Sequence, residues 1–180
     1  NVAEHRSPFS RAVQTQGLPG GTWSTSITWR LAADTEARVM EAWIASLNGR
    51  EHRALLWNMR RETPRGVGGG TPLVSGAGQT GKVLAIDGGP LATAGWLMAG
   101  DMIGVGGYLY VVTADAATDG AGLASLTIAP GLRGAPADNA PLTLVRPTAR
   151  FILTANRQTW SAGPGLGSIQ FTLDFEEDPS

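Results

Sequence analysis

The sequence predicts a mainly β protein with one α-helix, and three observations carry that prediction. Gly and Pro are abundant, 25 and 11 of 180 residues, as expected where many short strands are joined by tight turns. Two segments near the chain ends alternate apolar and polar residues at the period of a strand, and one stretch, 34–48, repeats apolar residues at three- and four-residue steps, the period of a helix. The length fits one compact domain with room for a small insertion.

Residues 1–20 hold Pro8, Gly17, Pro19 and Gly20 with little periodicity and read as an extended arm. From Thr22 to Leu31, Trp23, Ile27, Trp29 and Leu31 share one face, while Thr22, Ser24, Ser26, Thr28 and Arg30 share the other: a half-buried strand. Asp34 is placed to cap the helix, Val39, Met40, Trp43, Ile44 and Leu47 make its apolar face, and Gly49 supplies the left-handed residue that ends it. A strand is expected over Arg53–Trp57. Residues 60–81 hold seven glycines with Pro64 and Pro72 and read as an exposed, mobile crossing. Short strands follow at Lys82–Asp87, Met102–Val105, Tyr108–Ala114 and Leu123–Ala129, divided by turn signals at 87–90, 106–107 and 119–120 and suggesting a small barrel. Leu142–Val145 and Phe151–Thr154 are further strands. In the last strand Ile169, Phe171, Leu173 and Phe175 alternate with Ser168, Gln170, Thr172, Asp174 and Glu176. The economical topology pairs the two amphipathic end strands in one sheet with the helix against it, making about 61–146 an insertion.

Composition removes several function classes. A formal charge of -1 and a pI near 6.1 give no cation excess for nucleic acid, and Lys82 is the only lysine. Without Cys there are no disulfides, thiol nucleophiles or thiolate metal sites. No apolar run has membrane-spanning length, and Asn1–Ser10 lacks the apolar stretch of a secretory signal. An initiator Met is absent, so leader residues are expected to precede the chain.

The motifs that resemble chemistry do not complete it. Gly76-Ala77-Gly78-Gln79-Thr80-Gly81-Lys82 has the spacing of a phosphate-binding loop, but Val83 stands where a magnesium-binding hydroxyl is required and begins a β-branched run instead of a helix. Gly66-Val67-Gly68-Gly69-Gly70 is a fragment of a dinucleotide fingerprint with no helix after it. His5 and His52 belong to no metal-ligand motif, and no Ser lies in a nucleophile elbow. Asp87, Asp101, Asp115 and Asp119 fit no calcium-loop spacing and read as turn caps. Glu176, Glu177 and Asp178 read as a solvated acidic tail, available to the arginines of a neighbour. Of six Trp, Trp23, Trp29 and Trp43 belong to the core, whereas Trp57, Trp96 and Trp160 are less constrained and could serve an interface or a sugar site; with no polar constellation beside them, core or subunit interface is the preferred reading. No catalytic, cofactor-binding or metal-binding residue is assigned, and no cofactor is expected.

The ordered run of segments Thr22-Trp23-Ser24, Glu36-Ala37-Arg38, Trp43 through Arg50, Thr63-Pro64-Arg65-Gly66, Gly76 through Gly81, Ala99-Gly100-Asp101 and Ile128 through Arg133 resembles siphophage tail proteins related to the distal tail protein. The similarity spans roughly residues 20–177. It implies a β-sandwich belt domain with a helix, formed by 21–60 and 147–180 and assembled as a hexameric ring, with 61–146 as an inserted loop and small OB-like barrel. The implied function is structural and non-enzymatic, in the virion: a ring joining the tail tube to the tail-tip hub and fibre proteins, with no nucleic-acid contact required. The competing readings are a tail-completion or tube-end subunit, which usually lacks so large an insertion, and a carbohydrate-binding accessory module using Trp57, Trp96 or Trp160.

Overall fold

The computed structural model describes residues 2–6, 13–17, 21–31, 33–156, 160–162 and 169–178. In order they form β1 (Val2–Arg6), β2 (Val13–Gly17), β3 (Ser24–Leu31), α1 (Asp34–Ser46), β4 (Ala54–Leu56), β5 (Leu73–Val74), β6 (Val83–Asp87), β7 (Met102–Val105), β8 (Tyr108–Val112), β9 (Ala124–Ala129), β10 (Ala149–Leu153), β11 (Trp160–Ala162) and β12 (Ile169–Glu177). The protein is mainly β with one helix, built on two curled antiparallel sheets and a separate two-stranded sheet. The chain divides into two compact units, one of Asn1–Gly21 with Trp57–Thr148 and the other of Thr22–Leu56 with Ala149–Ser180.

In the second unit the end strands pair as their periodicity predicts. β3 runs antiparallel to β12 over eight residues, from Ser24 opposite Glu176 to Leu31 opposite Ile169. The other side of β12 is shared between β10 at one end and β11 at the other, and β4 adds to β10. Phe171, Leu173 and Phe175 fill the core face of β12 and are buried. Trp43 of α1 packs on this sheet, meeting Trp29 edge-on at 6.0 Å and Phe175 at 6.4 Å between ring centroids.

The helix differs in detail from expectation. Its N-cap is Ala33, with no side-chain cap, and Asp34 lies in the first turn, where Arg38 one turn on takes its carboxylate at 2.7 Å. Ala37, Ile44 and Leu47 are the buried positions, Met40 and Trp43 are half-buried, and Val39 is 71% exposed. The buried stripe is thus rotated toward Ala37, which lies three and seven residues before Met40 and Ile44. The helix ends at Ser46; Asn48 and Gly49 both take positive φ and reverse the chain.

The acidic terminus is no solvated tail. Glu177 is buried and its carboxylate accepts from the Trp23 amide at 3.0 Å, while Arg50 reaches Glu176 and Arg53 reaches Asp178, each at 2.6 Å. Its partners are arginines of the same chain, which the turn after α1 delivers beside the end of β12.

In the first unit, the sheet runs β5-β6-β9-β8-β7. Leu142–Val145, expected as a strand, makes only isolated bridges: Pro141 with Leu73, and Thr143 with Gly104. Pro141 has no amide to donate, and Arg146 turns to positive φ, so a ladder cannot extend through this stretch. The bridges nevertheless place Pro141–Thr143 between the first and last strands of the curl.

The glycine-rich crossing is anchored by its backbone. Val67 and Gly68 donate to the carbonyls of Gly95 and Trp96 at 3.0 and 2.9 Å, and Thr71 donates to Gly88 at 2.9 Å. A Cβ on Gly66 would run into the Trp96 carbonyl, so only glycine allows this approach. Within the stretch read as an arm, β1 and β2 form an antiparallel pair from Val2 opposite Gly17 to Arg6 opposite Val13. The backbone groups of this stretch are thereby satisfied in part without any apolar periodicity.

Asp101 anchors the crossing. It is 5% exposed, and its carboxylate accepts from the amides of Arg65 (2.7 Å), Gly66 (3.1 Å) and Met98 (2.8 Å). Asp101→Ala leaves these donors facing nothing and is expected to lower stability by on the order of 3 kcal/mol, with a smaller loss for Asp101→Asn, which keeps one accepting oxygen. Urea unfolding of the three chains measures the difference.

Candidate functional site

Each motif weighed in the sequence now has a location. The segment 76–82 is the turn between β5 and β6. Gln79 plugs it: its amide nitrogen donates to the carbonyls of Ser75 (2.9 Å), Gly76 (3.1 Å) and Ala85 (3.0 Å), and its oxygen accepts from the Ala85 amide at 2.7 Å. The Gly76 amide is taken by Asp138 at 2.8 Å, and the chain leaves the turn as a strand, so no helix N-terminus gathers amides for an anion. The 66–70 run is the bed of Trp96, whose indole N–H donates to the Gly69 carbonyl at 3.2 Å.

The aspartates bind backbone. Besides Asp101, Asp115 accepts from the Ala99 amide at 2.8 Å, and Asp119 accepts from the amides of Ala121 and Leu123 at 2.8 and 2.9 Å. Asp87 ends β6 opposite Leu73. His52 is exposed before β4, and the His5 side chain lies outside the described residues. Among the described residues no three His, Asp or Glu side chains gather to hold a metal ion. An open groove of about 430 Å³ runs between 69–73 and 141–145, and no ionisable side chain lines it.

The tryptophans divide otherwise than expected. Trp96 is fully buried in the first unit's core, which agrees with the preferred core reading and closes its ring to a sugar. Trp57 is half-buried with the Arg146 guanidinium 5.5 Å from its ring centroid, and Arg146 is tied in turn to Glu62 at 2.7 Å. The Trp160 side chain lies outside the described residues. Trp23, Trp29 and Trp43, expected in the core, are each only half-buried.

That half-burial marks the feature the sequence reading passed over. Along β3, Thr25, Ile27, Trp29 and Leu31 are half-buried, whereas Phe171, Leu173 and Phe175 on the adjoining strand are 2%, 5% and 0% exposed. Cover over the apolar face thins toward β3. Among the described strands, β3 pairs with β12 and with no other.

The direction of each β3 amide follows from one bond. Glu177 donates to the Trp23 carbonyl at 2.7 Å, which puts residue 23 in a hydrogen-bonded pair. Antiparallel pairs alternate, so Thr25, Ile27, Trp29 and Leu31 turn their backbone groups to β12, and Ser24, Ser26, Thr28 and Arg30 turn theirs away from it. Contact of the Thr28 and Thr172 hydroxyls at 3.0 Å agrees with a non-hydrogen-bonded pair at that position. β3 therefore offers donors and acceptors at every second residue, and over its eight residues it carries neither Pro nor Lys of the kind that protects edges, its one charge being Arg30 next to its last residue. That compositional gap was the signal available in the sequence.

The chain matches no protein-family model and no curated protein.

The two amide bonds to Asp119 hold its carboxyl below the ordinary aspartate value, the Leu123 amide contributing most and the Ala121 amide next. A carboxyl depressed in the folded state contributes stability that is present above the unfolded value of about 3.9 and lost as pH falls through the folded value. Acidification below about pH 4 is expected to loosen the 119–123 turn, read as faster hydrogen exchange at Ala121 and Leu123 after correction for the intrinsic rate. Asp119→Ala, which removes the accepting oxygen, should show that faster exchange already at neutral pH.

Proposed function

We propose that this chain is a structural virion protein of a long-tailed bacteriophage, a distal tail protein whose copies form a ring, with six as the expected number, between the tail tube and the tail-tip hub. The ordered segments from Thr22 to Arg133 supply the family. The observation that carries the assembly is β3: an eight-residue strand with one paired edge and a half-covered apolar face. Such an edge invites further strand pairing, and repetition of one head-to-tail contact around an axis can close a ring in which the β3 edge of every copy is covered.

In this reading the unit of Thr22–Leu56 with Ala149–Ser180 is the belt, and the curled sheet of the middle segment is the OB-like barrel. One face of the ring stacks on the tube, and the other receives the hub and fibre proteins. No catalytic step, cofactor or nucleic-acid contact is required. A carbohydrate-binding module is the weaker reading, because Trp96 is sealed in the core and Trp57 lies under Arg146.

The purified chain is expected to sediment at about six chain masses, and cryo-EM of intact tails should place it as one ring at the distal end of the tube. A monomer at all concentrations, together with absence from particles, would overturn the proposal. Thr28→Lys, which sets an edge-protecting charge at an exposed position of β3, should shift the assembly toward monomer while circular dichroism stays unchanged.

A further inference from the structure

The β1–β2 pair is a second unfinished sheet. β1 and β2 pair with each other and, among the described strands, with nothing else. A lone two-stranded sheet is at best marginally stable in water, because it buries little and leaves backbone groups unpaired along both outer edges. The chain therefore holds two incomplete sheets, one ending at β3 and one made of this hairpin. Each lacks what the other offers.

We infer that the hairpin of one copy adds through β2 to the open edge of β3 in the next copy. This rests on the ring reading and names the contact that makes it. The choice of β2 follows from charge: β2 is Val13-Gln14-Thr15-Gln16-Gly17, without a charged residue, whereas β1 carries Glu4 and Arg6. Adding through β2 leaves the charged strand outermost, where charge discourages any further strand from joining. The six residues 18–23 between β2 and β3 span at most about 20 Å extended, so a hairpin can serve only a copy seated directly beside its own β3. The contact is head-to-tail, since β2 and β3 are different surfaces, and such contacts generate rings instead of isolated pairs.

The amide geometry of β3 supplies the test. The Ser26 amide points away from β12, so Ser26→Pro removes a group that pairs with no described strand, and proline is tolerated on an edge strand in that orientation. The S26P chain is expected to keep its circular dichroism while losing the oligomer at concentrations where the natural chain is fully assembled. Hydrogen exchange on the natural assembly should show slow amides at Ser24, Ser26, Thr28 and Arg30 together with slow amides in 13–17, and S26P should release both sets. A chain lacking residues 1–17 gives the same readout should S26P fail to fold: it is expected to be folded and monomeric. Assembly that persists in S26P overturns this contact and leaves the ring standing. So does protection at β3 with none in 13–17, which would assign the edge to another occupant. A natural chain that never assembles overturns both readings.

Discussion

The pairing of β3 with β12 is the constraint on which the rest of the second unit depends. It joins positions as distant as Thr28 and Thr172, 144 residues apart, and makes β12 the strand on which β3, β10 and β11 all hydrogen-bond. The helix has a floor only because Phe175 and Trp29 lie on adjoining strands, and the Glu177 carboxylate meets the Trp23 amide only because the register continues one residue beyond the strand end. Closing a sheet across so long an intervening segment is not prohibitive, since loop entropy grows only with the logarithm of loop length and this segment folds on its own core.

That core explains much of the glycine content. Trp96 lies at its centre, and the backbone of 66–69 is laid against the 95–96 peptides closely enough that side chains are excluded at Gly66. Opposite it, Gly122 takes positive φ where its chain passes the Gly89 carbonyl. The short side chains serve approach and reversal, and buried acceptors such as Asp101 tie the loops that result. Asp101, Asp115, Asp119 and Gln79 thus bind backbone within the first unit, whereas β3 leaves a row of backbone groups that no described strand takes.

This asymmetry bears on assembly. A contact made by strand addition draws its strength from main-chain hydrogen bonds repeated at every copy, and side chains mainly set register and exclude wrong partners. Ser24, Ser26 and Thr28, at the positions whose backbone groups point outward, are small enough to let another strand approach.

Local periodicity was sufficient to read the helix and the alternation of β3 and β12, because a side chain's face in a strand or helix follows from spacing along the chain, and economy of topology put the two strands in one sheet. Turn chemistry likewise located β6, β7, β8 and β9 to within a few residues. Four features escaped the sequence: the N-terminal hairpin, which has no apolar period; the anchoring of the 66–70 run; the division of the six tryptophans; and the partners of the acidic terminus. Spacing says which way Trp29 and Trp96 point, but the cover each receives is set by elements brought from elsewhere in the chain. Tertiary structure alone decided that Trp96 would be enclosed on all sides, that Arg50 and Arg53 would meet Glu176 and Asp178, and that β3 would be the end strand of its sheet among the described strands, because burial and pairing are properties of neighbours distant in sequence.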